Sequence, residues 1–215
     1  GFPLGLVNIV GSRYFDSEKL NAYEIGYRKD INSNLYFDIS AFFNDYYDLR
    51  TFEGTGLPRY LISKNGGTGE TYGVESYVVY SPTEKWDLKL GQTFLTQNFH
   101  ENTSDTGLQR DEERSPENQF SVGSYVKLSD KLRWDSNLYY VSNLHYYTSP
   151  ASVRTRVDAY ARVDTQLRWT VDKNTEISFI GQNLTDDKHQ EFDEVIYSTA
   201  SYIPRAFLVR LSRKF

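Results

Sequence analysis

Cysteine is absent from the 215 residues, and so is methionine. Without cysteine there is no disulfide framework, no thiolate metal site and no cysteine nucleophile. Without methionine the chain does not open on a start codon, so residue 1 is expected to follow a processing site or a cut in a longer protein. No signal peptide is present. Long apolar runs are lacking as well: nothing approaches the ~20 residues of a transmembrane helix, and mean hydropathy is −0.61. A membrane β-barrel passes that test, because every second residue of its strands can be polar. Basic excess is missing too. Lys plus Arg number 24 against 29 Asp plus Glu, a formal charge of −5, whereas a nucleic-acid partner favours a basic face. Helical period is nowhere sustained, which argues against an α or α/β class.

Aromatic residues and alternation fill the space that these absences leave. Aromatics make up 16% of the chain, with 18 Tyr and 13 Phe. Ala161, Val163, Thr165, Leu167 and Trp169 interleave with Arg162, Asp164, Gln166 and Arg168. Successive strand side chains point to opposite faces, so one face is apolar or neutral and the other charged. The same pattern recurs from Leu35, Trp86, Leu132, Thr175 and Ala206, and it predicts about nine strands in all. Short turns are expected at 30–33, 81–84, 128–131 and 171–174. Long loops are expected at 50–70, 98–117, 145–156 and 184–204, with residues 1–16 as a further loop. In an up-and-down meander every second connection lies at the same end. Short turns at one end and long loops at the other is the layout of an outer-membrane barrel.

Parity sharpens the expectation. Phe37, Ile39, Leu88, Leu90, Leu132, Leu138, Val163, Leu167, Val209 and Leu211 should share one face. Asp38, Lys89, Arg133, Asp135, Arg162, Asp164, Arg168 and Arg210 should share the other. Trp86, Trp134 and Trp169 fall on the apolar parity beside short turns, where a membrane barrel carries an aromatic girdle, and the terminal Phe215 should lie near them. A secreted β-sheet would instead hide the apolar face in a core.

No catalytic constellation emerges. His100, His145 and His189 fall in or beside three different expected loops and read as solvated. Asp186, Asp187, Glu191, Asp193 and Glu194 read as a solvated acidic loop without calcium-loop spacing, as does the charged run from Arg110 to Arg114. No Gly-x-Ser-x-Gly elbow is present. Tyr139, Tyr140, Tyr146, Tyr147 and Tyr160 cluster near the long-loop end and read as a second girdle. No enzyme activity, metal or cofactor is expected.

Several stretches then carry a resemblance: 17–27 (SEKLNAYEIGY), 38–50 (DISAFFNDYYDLR), 70–75 (ETYGVE), 114–119 (RSPENQ), 181–187 (GQNLTDD) and the terminal Phe215. In this order the chain resembles the C-terminal barrel portion of TonB-dependent outer-membrane receptors. The resemblance implies an all-β antiparallel meander forming part of a roughly 22-stranded transmembrane barrel. Residues 1–215 would be its C-terminal part, with the plug domain absent. It implies energy-dependent uptake of a scarce nutrient across a Gram-negative outer membrane, a ferric siderophore first of all. The implied partners are outer-membrane lipid, the N-terminal barrel portion and plug of the same parent, a TonB-type energy-coupling protein reached through that plug, and the ligand. A porin-like passive channel and a secreted β-sheet adhesin or binding module are the alternatives. Two residues depart from the family pattern: Thr185 stands where an apolar or aromatic residue is usual, and Arg213 where an aromatic is usual. By parity Arg213 should face lipid.

Overall fold

The structure is a computed structural model that describes residues 8–55, 60–102, 111–148, 153–192 and 200–215. Nine antiparallel strands form one sheet in the order β14-β11-β10-β7-β6-β5-β4-β3-β2. They are β2 (Lys19–Asn32), β3 (Leu35–Thr55), β4 (Tyr60–Thr83), β5 (Trp86–Glu101), β6 (Asn118–Ser129), β7 (Leu132–Val141), β10 (Tyr160–Thr170), β11 (Thr175–Gln182) and β14 (Ala206–Arg213). The expected meander of about nine strands is therefore present.

The long connections depart from expectation. Residues 8–10, read as loop, form β1 (Asn8–Val10) and pair in parallel with Tyr60–Ile62. The stretch 50–70 is mostly strand, because β3 and β4 both extend into it. The stretches 145–156 and 184–204 hold hairpins: β8 (Leu144–Thr148) with β9 (Val153–Val157), and β12 (Lys188–Phe192) with β13 (Ser201–Pro204). Gly and Lys suggested loops there, but paired backbone groups satisfy one another in a hairpin whatever the composition.

The chain divides into two compact units, 1–25, 41–73 and 95–115 in one, and 26–40, 74–94 and 116–215 in the other. Within the first, Asn65 is a clamp. Its side chain accepts from the Asp16 N–H at 2.7 Å and donates to the carbonyls of Asp16 (2.9 Å) and Asp48 (2.7 Å). Asp48 adopts a left-handed φ of 56°, a conformation that Asp tolerates better than most residues. Gly69 lies so close to the Phe99 ring that a Cβ would meet it at 2.0 Å; the ring covers the backbone that the missing side chain leaves bare.

The second unit is tied at its short turns by one repeated device. In each turn a side-chain oxygen accepts the N–H two residues on: Asn32 from Asn34 (2.8 Å), Thr83 from Lys85 (3.3 Å), Ser129 from Lys131 (3.3 Å) and Asp172 from Asn174 (2.8 Å). Asn, Asp, Ser and Thr are turn formers for this reason. Both turn aspartates are held below the usual carboxylate range, Asp172 chiefly by the Asn174 N–H and Asp130 chiefly by its hydrogen bond to Lys127. Each turn is also bound to its neighbour: Ser81 N–H to Asn34, Lys127 N–H to Lys85, Thr170 N–H to Lys131 and Lys214 N–H to Asn174.

Candidate functional site

The register fixes which side chains share a face, since directly opposed residues point the same way. In the second unit Leu90, Val122, Leu138 and Val163 form one apolar row. Trp86, Val126, Trp134, Leu167, Phe179 and Val209 form a second, and Leu132, Trp169, Ile177 and Leu211 a third. Between the first two runs a row of small residues: Leu88, Ser124, Ser136, Thr165, Gly181, Phe207. The apolar residues stay exposed, Phe207 at 75% and Val209 at 70%, so no soluble core of this unit covers that face.

The opposite face is polar and mutually paired. Arg162 forms two bonds to Asp164, at 2.6 and 2.9 Å. Asp135, buried at 8% exposure, takes Arg133 at 2.7 Å and Arg168 at 3.7 Å, and Arg168 also approaches Glu176 at 3.7 Å. Arg28 bonds Asp38 at 2.7 Å. The register places Lys89 opposite Gly123 and Arg210 opposite Ser178 on this same face. Every registered member of the two expected sets lies on its expected side.

The most enclosed polar cluster was not legible. Leu184 donates its N–H to Val163, although regular pairing from Thr165–Gly181 would place residue 183 there. One extra residue is thus accommodated at Asn183, whose φ is 51°: a β-bulge with Asn in the left-handed region. The bulge sends Leu184 over Gly181 on the apolar face and buries the Asn183 side chain completely on the polar side. There its amide donates to the Ile203 carbonyl at 2.9 Å and meets His189 Nδ1 at 3.1 Å, while its backbone N–H bonds Asp164 at 2.9 Å. His189 Nε2 lies 3.0 Å from Glu191, and its ring stacks on Tyr160 at 4.2 Å. Arg162 completes the group, 3.9 Å from Glu191.

His189 is therefore buried rather than solvated, because the bulge and hairpin fold it onto the strand wall. His145 contacts Arg154 at 3.1 Å, and His100 is exposed. Glu191 belongs to the cluster; Asp193, Glu194 and Arg110 lie outside the described residues. Among the described residues no three His, Asp or Glu side chains converge on a metal position. The tyrosines divide by face: Tyr139 pairs opposite Arg162, while Tyr140 sits opposite Phe120 with ring centroids 6.1 Å apart. Consecutive strand residues cannot share one girdle.

Trp86 and Trp134 share one row, joined through Val126, and Trp169 lies in the next row toward the turn. Phe215 is fully exposed, with the Arg213 guanidinium 6.0 Å from its ring centroid. Arg213 pairs opposite Thr175, on the apolar parity, as expected. Thr185 donates its hydroxyl to the Ala161 carbonyl, which lets a polar residue stand at that position.

Among known proteins, residues 3–184 match the model of the TonB dependent receptor-like, beta-barrel family. No curated protein sequence matches the chain. The ferric-catecholate import receptor Fiu of Escherichia coli K12 is similar at 20% identity and a TM-score of 0.75, over 94% of this chain and 28% of that one. The FrpB iron transporter of Neisseria meningitidis gives 14% identity and a TM-score of 0.76, over 98% and 33%. The ferripyoverdine receptor of the Pseudomonas aeruginosa outer membrane gives 18% and 0.71, over 92% and 27%. The chain thus spans about a third or less of the length of these structures. With two sided strands, short turns at one end and a family match across most of its length, the chain belongs to the TonB-dependent receptor-like β-barrel family and is a segment of outer-membrane barrel wall.

Proposed function

We propose that this chain is the C-terminal wall of a receptor that takes up a scarce nutrient across the outer membrane with energy supplied from the inner membrane, the nutrient being a ferric siderophore. The observation that carries this reading is the pair of faces, one apolar and exposed and the other a web of ion pairs, within a chain of this family. The apolar face meets lipid. Trp86, Trp134, Trp169 and Phe215 form its girdle on the short-turn side. The polar face lines the lumen, against a plug contributed by another part of the parent protein, and that plug reaches the TonB-type coupling protein. The named relatives include a ferric-catecholate import receptor and a ferripyoverdine receptor, which supports an iron complex as cargo. The wall binds and guides; the reading assigns it no reaction.

A growth and uptake assay tests this. A receptor-deleted strain carrying the full-length parent should take up a ferric siderophore, and collapse of the inner-membrane proton gradient should stop it. Residues 1–215 alone should give no uptake, since an open sheet leaves unpaired edge groups that hydrocarbon cannot satisfy. Uptake by the parent that persists without the gradient would support the passive channel instead.

A further inference from the structure

The three tryptophans of the proposed girdle are not equivalent. The indole N–H of Trp86 donates to the Ser124 hydroxyl at 3.1 Å, and that of Trp134 to the Thr165 hydroxyl at 2.7 Å. Ser124 and Thr165 lie two residues farther from the short turns than Val126 and Leu167, which oppose the two tryptophans. Both indoles therefore lean away from the turns, toward the middle of the apolar face. Thr165 is itself satisfied, bonding Ser136 at 2.8 Å and the Asp135 carbonyl at 3.2 Å. Trp169, one row nearer the turn, has no indole partner among the described residues.

We infer that Trp86 and Trp134 sit within the membrane hydrocarbon, and that the boundary with the headgroups passes at Trp169. This rests on the reading of the apolar face as lipid-facing. An interfacial tryptophan ordinarily directs its polar edge to water and headgroups. An indole immersed in hydrocarbon must find its acceptor inside the protein, because none exists outside. The row Ser124–Ser136–Thr165 provides one. The reverse need holds as well, since hydroxyls on a lipid-facing row require protein partners, and Trp134 Nε1, Ser136 and a backbone carbonyl supply them to Thr165. Trp169 lacks such a partner and takes headgroup or water contacts. One pleat separates the two rows, about 5 Å of depth once strand tilt is included.

The test uses the full-length receptor that carries this chain, reconstituted in phosphatidylcholine vesicles brominated at shallow or deep acyl positions. Each tryptophan is replaced by phenylalanine in turn, and the difference from the unsubstituted protein isolates its quenching. Trp86 and Trp134 should be quenched most by deep bromines and Trp169 by shallow ones. Thr165→Val should move the Trp134 component toward shallow quenching, and Thr165→Ser should leave it deep. A common depth for all three, or a Trp134 depth indifferent to Thr165→Val, overturns the inference while leaving the membrane reading intact. Absence of quenching at every depth would overturn the lipid-facing face itself.

Discussion

The two sides of β10 are made from alternate residues of one strand, yet they satisfy their polar groups by opposite means. On one side Arg162, Asp164 and Arg168 are paired with charged neighbours on their own and adjacent strands. On the other, the one polar side chain, Thr165, is consumed by three local partners. Side chains in contact with water can exchange partners at little cost. A polar group facing hydrocarbon has only what the protein brings. The sparse, closed bonding of one face and the shared, open bonding of the other thus report the two media.

The sharpest way to break this comparison is to put the same charge on each side. Val163→Arg should destabilise the reconstituted parent by about 2–4 kcal/mol, the cost of an arginine deep on a lipid face. Gln166→Arg should stay within about 0.5 kcal/mol. Urea unfolding in vesicles measures both, and equal costs would erase the distinction between the faces. Next comes Asn183→Ala, which strains the left-handed residue and leaves the Ile203 carbonyl and His189 unpartnered. We expect a loss of about 1–3 kcal/mol and faster amide exchange at 188–192 and 201–204, with β5 and β6 unchanged. Asp135→Asn should cost about 1 kcal/mol, since its arginine partners are one-third to one-half exposed and solvent screens them. Its effect should shrink in high salt, which a hydrogen-bond defect on the apolar face would not do. Smallest is Asp172→Ala. The folded carboxyl is held below its ordinary range, so its contribution is present above the unfolded pKa and is lost as pH falls through the folded value. Amide exchange at Asn174 should quicken on acidification in the unsubstituted protein and be insensitive to pH in the variant, once intrinsic exchange rates are divided out.

The alternation of β10, β11 and β14 was enough to assign sides, because parity is a local property and the short turns are marked by Asn, Asp, Ser and Thr. The extent of β3 and β4 was hidden by Gly66, Gly67, Gly69 and Lys64, whose composition resembles a loop although their backbone is paired. His189 was out of reach for another reason. Its burial depends on the bulge at Asn183 and on stacking with Tyr160, contacts that no spacing announces. The signal that could have flagged it is small: an Asn directly after alternating Phe179 and Gly181, where continued parity would have aimed an amide at the apolar side. Ser124 and Thr165 were likewise read as filler in an apolar row, since their partners stand on other strands.

The bulge also behaves like a shift of reading frame. Before it, odd-numbered residues of β11 face the apolar side; after it, Leu184 does. Sidedness beyond residue 182 is therefore encoded by how many residues the chain contains as much as by which ones. Removing a single residue from 182–183 would restore the earlier frame without changing any neighbouring side chain's identity. Leucine would then be carried toward the ion pairs and the hairpin's anchoring amide lost. Insertions and deletions of one residue at this point should be far less tolerated than substitutions, whereas changes of two residues would preserve the frame on either side.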